Sequence, residues 1–374
     1  MTKRIGILTA GSDSPGLNAT IRGLGKAAQG SFGMELIGFV DGFQGLVEDN
    51  TVEIISANLS GILTDGGTFL GTSRDSIKEY PLKDGSTADR TEQAVATYKK
   101  HKLDALVCLG GYATHVAAHQ LSKEGLNVIG IPKSITNNVP HTDTTVGFDT
   151  ALGVATEAID RLHSTAHSHH RIMIVEVMGR HAGWLTLGAG ISGGADAILI
   201  PEIAYDPKRV ADAINNRRKS GKRFSIVAVA ENAMSLDYVE FFDHSRKMNQ
   251  RLRSGDEQDK IARELARIEN QIQGNTLLLA DRLHAFTGLD TRITILGHLL
   301  RGGTPSASDR LLATQLGTAC AALLKEKQYG VMVAMQGRHT VPVPLEKITG
   351  GVKQIPLDHP WVVGAKRVGT VFGD

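Results

Sequence analysis

Short, nearly continuous apolar runs alternate with stretches of helical periodicity along most of this chain. The runs are KRIGILT (3–9), ELIGFV (35–40), LDALVCL (103–109), LNVIGI (126–131), RIMIVEV (171–177), ADAILI (195–200), FSIVAVA (224–230), RITILG (292–297) and GVMVAM (330–335). Several are almost wholly Val, Ile, Leu and Ala, without the apolar/polar alternation of a strand that faces water on one side. They therefore predict strands covered on both faces. The fold class this implies is α/β, with mainly parallel sheets flanked by helices and ligands held beyond the carboxyl ends of the strands.

One segment departs from the rhythm. From about 244 to 283 the chain is charged, with Leu252, Ile261, Leu265, Ile268 and Ile272 at helical spacing. It predicts a charged helical insertion, either a solvated helical pair or an oligomer contact. No repeat of 20–50 residues is present, and no low-complexity linker.

Composition changes this picture little. The chain has 374 residues, enough for two core-bearing lobes. Its 41 basic and 39 acidic residues leave a formal charge of +2, which argues against a nucleic-acid or membrane partner. Cys108 and Cys320 both lie in apolar surroundings and read as reduced core residues. The first residues, MTKRIGILTAG, lack a signal-peptide stretch, and a cytoplasmic location is expected.

The 42 glycines concentrate where predicted strands end, and there the candidate chemistry lies. LTAGSDSPGLNATIRG (8–23) is a strand, a tight turn and a helix start, an arrangement that aims backbone N–H groups at an anion. DGGTFLGTSRD (65–75) is a second glycine-rich loop, with Arg74 available for a phosphate. In HSHHRIMIVEVMGRHAGWL (167–185), Arg171 opens a strand and Met178, Gly179 and Arg180 close it. TRITILGHLLRGGTPSASDR (291–310) repeats that logic with Arg292 before a strand and His298 and Arg301 after it. The guanidinium fork suits phosphate oxygens, a histidine adds a donor, and Glu231 at the end of FSIVAVAE could accept from sugar hydroxyls. By contrast, GYATHVAAH (111–119) and IPKSITNNVP (131–140) contain no acidic residue.

Over nearly its whole length, from LTAGSDSPGLN to LGHLLRGGTPSASDR, the chain resembles the phosphofructokinase family. The stretch 148–185 is most similar to the long-chain bacterial branch that includes pyrophosphate-dependent members. The resemblance implies a two-lobed fold. Residues 1–147 with about 302–350 would form the phosphoryl-donor lobe, 148–301 the sugar-phosphate lobe, and 351–374 a C-terminal tail. It also implies fructose 6-phosphate as ligand, held by Arg171, Met178, Gly179, Arg180, Glu231, Arg292, His298 and Arg301. In the family the sugar site is shared between subunits, with Arg171 and Arg292 reaching into the neighbour. A homo-oligomer, dimer or tetramer, is thus expected, or a mixed oligomer with an active phosphofructokinase.

On the donor side the resemblance is incomplete. The donor-phosphate loops fall at Gly11, Ser12, Arg74, Gly111, Tyr112, Ala113 and Lys133, but Ser12 stands where the family has a second glycine. Tyr112 stands where it has a magnesium carboxylate. Against the family's PKTIDND, residues 132–138 read PKSITNN. Ser134, Thr136 and Asn138 are therefore degenerate, with Thr136 at the position of the proton-accepting aspartate. Lys133 is the residue type that pyrophosphate users carry there. His115 and His141 are the nearest replacement bases, although a helix-opening position reads His115 as solvent-facing. The expectation from these losses is a sugar-phosphate-binding pseudoenzyme or regulatory subunit with no cofactor. The alternative is an active enzyme with a rebuilt donor site, using Mg2+ with ATP or pyrophosphate. His163, His167 and His170 have metal-ligand spacing, but no metal site is expected.

Overall fold

The computed structural model describes residues 2–252, 260–264 and 276–374. These residues divide into two compact units, Met1–Ala151 with Arg301–Lys353, and Leu152–Leu300 with Gln354–Asp374. Each is an α/β layer structure around its own sheet.

The first unit is built on seven strands in the order β13-β12-β7-β6-β1-β2-β3. In chain order these are β1 (Arg4–Thr9), β2 (Glu35–Phe39), β3 (Thr51–Glu53), β6 (Ala105–Gly110), β7 (Val128–Pro132), β12 (Val331–Gln336) and β13 (His339–Pro344). A two-stranded hairpin of β4 (Tyr80–Pro81) and β5 (Thr87–Ala88) lies apart from it. The central strands pair in parallel, and only the edge pairs β2/β3 and β12/β13 are antiparallel. All six residues of β6 and all five of β7 are buried, as runs without alternation require. Strand β13, HTVPVP, is not among the nine apolar runs and carries two prolines. It pairs on one side only, at the sheet edge, where a missing N–H is tolerated.

Two helices, Leu17–Phe32 and Ala307–Glu326, lie together over this sheet and share one core with it, including Leu24, Leu316, Cys320 and Val107. Their backbones approach closely at Gly317, where a Cβ would come within 2.5 Å of the Leu24 nitrogen. Cys108 and Cys320 are free and buried, and burial pushes both thiols up.

The second unit holds four parallel strands in the order β11-β8-β10-β9: β8 (Ile172–Val177), β9 (Ala197–Leu199), β10 (Ser225–Ala230) and β11 (Thr291–Ile295). Central β10 is buried throughout, whereas edge strand β11 exposes Arg292 and Ile295. Residues 351–374 are not a separate tail. Helix Pro360–Arg367 and Val371, which bridges to Ala197, belong to the second unit because Val362, Ala365 and Phe372 have apolar surface to bury. Of the charged insertion, helix Leu236–Leu252 and helix Thr276–Thr287 are described, and Ile261 is exposed. Leu265, Ile268 and Ile272 lie outside the described residues. Among the described residues no helix is long and apolar enough to cross a membrane.

Candidate active site

The seven-stranded sheet reverses its winding between β1 and β6, since the chain moves from β1 outward to β2 and later returns to the other side of β1. Ligands bind beyond the strand carboxyl ends at such a point. Three of the loops singled out from sequence lie there: Ala10–Gly16 after β1, Gly111 and Tyr112 after β6, and Lys133–Asn138 after β7.

The loop after β1 is held by several bonds. Gly11 takes φ +84°, the left-handed region that favours glycine, and its N–H donates to the Ser73 carbonyl at 2.8 Å. Thr72 Oγ1 donates to the Gly11 carbonyl at 2.8 Å, and Arg74 Nη2 donates to Ser12 Oγ at 2.8 Å. The serine that replaces a family glycine is thus the group that docks Arg74. Beneath the loop, Lys133 is only 4% exposed and donates from Nζ to the carbonyls of Ala10, at 3.3 Å, and Ser12. Burial, then Arg301, pushes this ammonium down to about 7, with Asp13 opposing and Arg74 reinforcing the shift. Arg301 itself donates from Nη1 to the Asp13 carbonyl at 3.0 Å. Three cations, Lys133, Arg74 and Arg301, therefore gather at one loop.

The departures from the family pattern have partners of their own. The Tyr112 hydroxyl donates to the Thr349 carbonyl at 2.9 Å, while Ala113 beside it is exposed. Ser134 Oγ lies 3.1 Å from Thr136 Oγ1 and donates to Asn138 Oδ1 at 2.8 Å, and the Thr136 N–H donates to Ser134 Oγ at 3.2 Å. Hydroxyls and an amide thus form a closed network where the family has carboxylates. This network can orient a ligand but offers no anionic acceptor near neutral pH.

In the second unit, the ends of β8 and β10 lie side by side, with Ala230 in register with Val177 and the Glu231 N–H donating to the Val177 carbonyl at 2.9 Å. Half-buried Met178, buried Gly179, exposed Arg180 and half-buried Glu231 therefore share one end of the sheet. Exposed His298, in the turn Gly297–Arg301 after β11, lies at the same strand end. Arg171 and Arg292 do not. They flank the amino ends of β8 and β11, roughly 20 Å away for six residues at about 3.3 Å each. There both approach Asp290, at 3.5 and 3.4 Å. The sequence-predicted sugar ligands thus form two groups on opposite ends of one sheet, with Arg301 in the first unit.

The histidines are placed differently from their sequence reading. His115 does not face solvent. It is fully buried, with Nδ1 2.7 Å from the Gly111 carbonyl and Nε2 without a partner. Its side chain fills the space left by Gly130, where a Cβ would come within 2.5 Å of the ring, and burial pushes it down to about 4. It is therefore no replacement base, whereas His141 is exposed at φ +60°. His163 binds the Gly193 carbonyl at 2.7 Å, and both His163 and His167 stand edge-on to Phe224. No group of metal-binding side chains forms among the described residues.

Sequence reading missed Asp309. Fully buried, it accepts from the Gly147 and Thr150 N–H groups at 2.8 Å each and from Thr150 Oγ1 at 2.5 Å, which anchors the start of helix Phe148–His169. Only the SASD pattern of a helix cap hinted at it, with Ser306 accepting from the Asp309 N–H at 3.1 Å.

The family model described as Phosphofructokinase matches residues 4–324. A protein of Propionibacterium freudenreichii subsp. shermanii, named ATP-dependent 6-phosphofructokinase, is 51% identical over 374 residues, covering 100% of both chains. One of the same name from Spirochaeta thermophila is 47% identical, covering 100% of this chain and 98% of its own. Among solved structures, Pichia pastoris phosphofructokinase in the T-state superposes with a TM-score of 0.74 at 31% identity, covering 93% of this chain and 35% of its own. A pyrophosphate-dependent phosphofructokinase from Marinobacter aquaeolei, at 17% identity and TM-score 0.75, covers 95% and 86% and supports the fold alone. The full-length relatives overturn the expectation of a catalytically deficient pseudoenzyme or regulatory subunit, and with it that of a chain without a cofactor. The relatives favour instead the alternative, an active enzyme with a rebuilt donor site.

Proposed function

We propose, from the premise that this chain belongs to the phosphofructokinase family, that it is an active 6-phosphofructokinase with a rebuilt donor site. It would transfer the γ-phosphoryl group of ATP to the 1-hydroxyl of fructose 6-phosphate, giving fructose 1,6-bisphosphate and ADP. The observation that carries this reading is the gathering of Lys133, Arg74 and Arg301 at the loop after β1, at the winding reversal of a parallel sheet. Phosphoryl transfer depends mainly on positioning and on cations that offset the charge of the transferring group. The absence of a carboxylate at Thr136 lowers the rate, by about 10²–10⁴ for a lost general base, without removing those contributions.

Magnesium suits this donor set only as a nucleotide-borne ion. The loop after β1 supplies one carboxylate, Asp13, and the ion commonly binds through one or two carboxylates plus substrate phosphates. When bound it neutralises phosphate charge; Asp13 would hold it, and Arg74, Lys133 and Arg301 would orient the oxygens.

The sugar phosphate belongs with Met178, Gly179, Arg180, Glu231 and His298. Arg171 and Arg292 would complete the corresponding site of a second copy, which supports a homo-oligomer with shared sites. Two buried, free cysteines accord with a cytoplasmic setting.

The test is turnover of purified protein with fructose 6-phosphate, Mg2+ and either ATP or pyrophosphate, with the bisphosphate followed by phosphorus NMR. Formation with ATP above the protein-free rate is expected. No bisphosphate with either donor overturns the reading, and pyrophosphate turnover exceeding ATP turnover reassigns the donor.

A further inference from the structure

Residues 349–353 lie between the two loops that depart most from the family pattern. At one end, the Thr349 carbonyl accepts from the Tyr112 hydroxyl at 2.9 Å, so the loop after β6 is bonded to a residue 237 positions away. At the other, the Lys353 N–H donates to the Asn138 carbonyl at 2.9 Å, and its Nζ donates to the carbonyls of Thr142 at 2.8 Å and Asp143 at 3.1 Å. Between these anchors are Gly350 and Gly351, and Gly351 takes φ +127°, a conformation that a side chain would strain. Lys353 is largely withdrawn from water, which pushes its ammonium down to about 8 against the opposing effect of Asp143.

These bonds form one chain of connections. The strap joins the loop after β6 to the loop after β7, and Lys133 joins the residue following β7 to the loop after β1. A magnesium ion shared by loop carboxylates would draw such loops together only when present. Here the protein's own hydrogen bonds do so beforehand.

We propose that residues 349–353 are a strap that positions the donor loops, with Tyr112 and Lys353 as positioning residues whose bonds set affinity for the nucleotide rather than for the sugar phosphate. This rests on the reading of the chain as an ATP-dependent enzyme. Tyr112, read from sequence as a lost metal ligand, becomes one of two anchors. Its ring opens helix Tyr112–Lys123 directly after Gly111, so slack in the strap is transmitted to the backbone N–H groups at that helix start. Preorganisation of this kind matters because a loose supporting shell lets the loops drift from the geometry the donor phosphates need.

The experiment compares Tyr112→Phe, Lys353→Met and Lys353→Arg in the full chain. Loss of one neutral hydrogen bond corresponds to about 2- to 12-fold in affinity. Tyr112→Phe is expected to raise KM for MgATP by about fivefold, within that range, and Lys353→Met, which loses charge-assisted bonds to two carbonyls, by at least as much, with KM for fructose 6-phosphate unchanged and Lys353→Arg close to wild type. Amide exchange without substrates gives an independent reading, since the Lys353 N–H, bonded to Asn138, should exchange several-fold faster in Tyr112→Phe. Equal rises in both KM values with a lowered Tm would reduce the strap to a structural brace and overturn the proposal, as would no change in either. If wild type shows no turnover, the functional reading fails. The strap is then judged by exchange alone, and unchanged protection at Lys353 in Tyr112→Phe overturns it.

Discussion

In the seven-stranded sheet the loops beyond β1, β6 and β7 bond to one another and to distant segments, through Lys133, Asp309, Tyr112 and Lys353. In the four-stranded sheet the residues with chemistry stand half-buried or exposed beyond β8, β10 and β11, and two arginines stand at the opposite end. One sheet holds its strand-end loops by bonds within the protein, with Lys133, Arg74 and Arg301 gathered at one of them. The other carries polar side chains that are half-buried or exposed at both strand ends. The contrast shows that strand-end chemistry in one fold can be either internally bonded or presented outward, and that burial decides which.

The strongest way to break the internally bonded side is Asp309→Ala. It leaves the buried N–H groups of Gly147 and Thr150 without an acceptor, at a cost of about 3 kcal/mol in stability. Chemical denaturation should record that loss, and a change below about 0.5 kcal/mol would show the anchor to be dispensable.

On the outward side, Arg180→Ala and Arg171→Ala should each reduce kcat/KM for fructose 6-phosphate by about 10- to 150-fold, equivalent to 1.5–3 kcal/mol. They lie on opposite ends of one sheet, so mixing the two impaired variants under conditions of subunit exchange should restore about a quarter of the sites in a twofold assembly. No recovery would mean that the two ends do not serve a shared site.

Lys133 sharpens the comparison through pH. Burial lowers its folded value from 10.5 to about 7, so between those values the unfolded chain binds more protons than the folded one. Wild-type stability should therefore rise with pH from about 7 towards 10.5 relative to Lys133→Met. A stability difference that stays flat across that window would show that the ammonium is not strained by burial.

The smallest effect concerns His115. Its Nε2 is buried without a partner, so His115→Leu should stabilise the protein by about 1 kcal/mol at pH 7. Burial depresses the folded value from 6.5 to about 4, so wild type should lose stability as pH falls through that window while the leucine variant does not. Equal acid sensitivity of the two proteins would place the titrating group elsewhere.

Much of this was legible in the chain itself. The nine apolar runs all became strands, most of them because a strand covered on both faces must be apolar throughout, while edge strand β11 keeps none of its residues fully buried. The loops after β1, β6 and β7 were recognisable because glycine clusters end those runs. Strand β13 was not, since its prolines argue against a strand until a neighbour puts them on an edge. His115 misled because a residue near a helix start gives no sign of which face the sheet will cover. The missing carboxylates at Tyr112, Thr136 and Asn138 were read as loss, for lack of any local pattern that announces what replaces them.

By itself the sequence determined the strands, the helices between them and the residue types at their ends, since burial and turn chemistry act over a few neighbouring positions. Strand order decided that the β1 and β6 loops adjoin, and the packing of helices and loops around the sheet decided that Asp309 meets a helix start 159 positions away and that Tyr112 reaches Thr349. A hydrogen bond has the same chemistry at any separation along the chain, and only the packing of the sheet brings its donor within 3 Å of the acceptor.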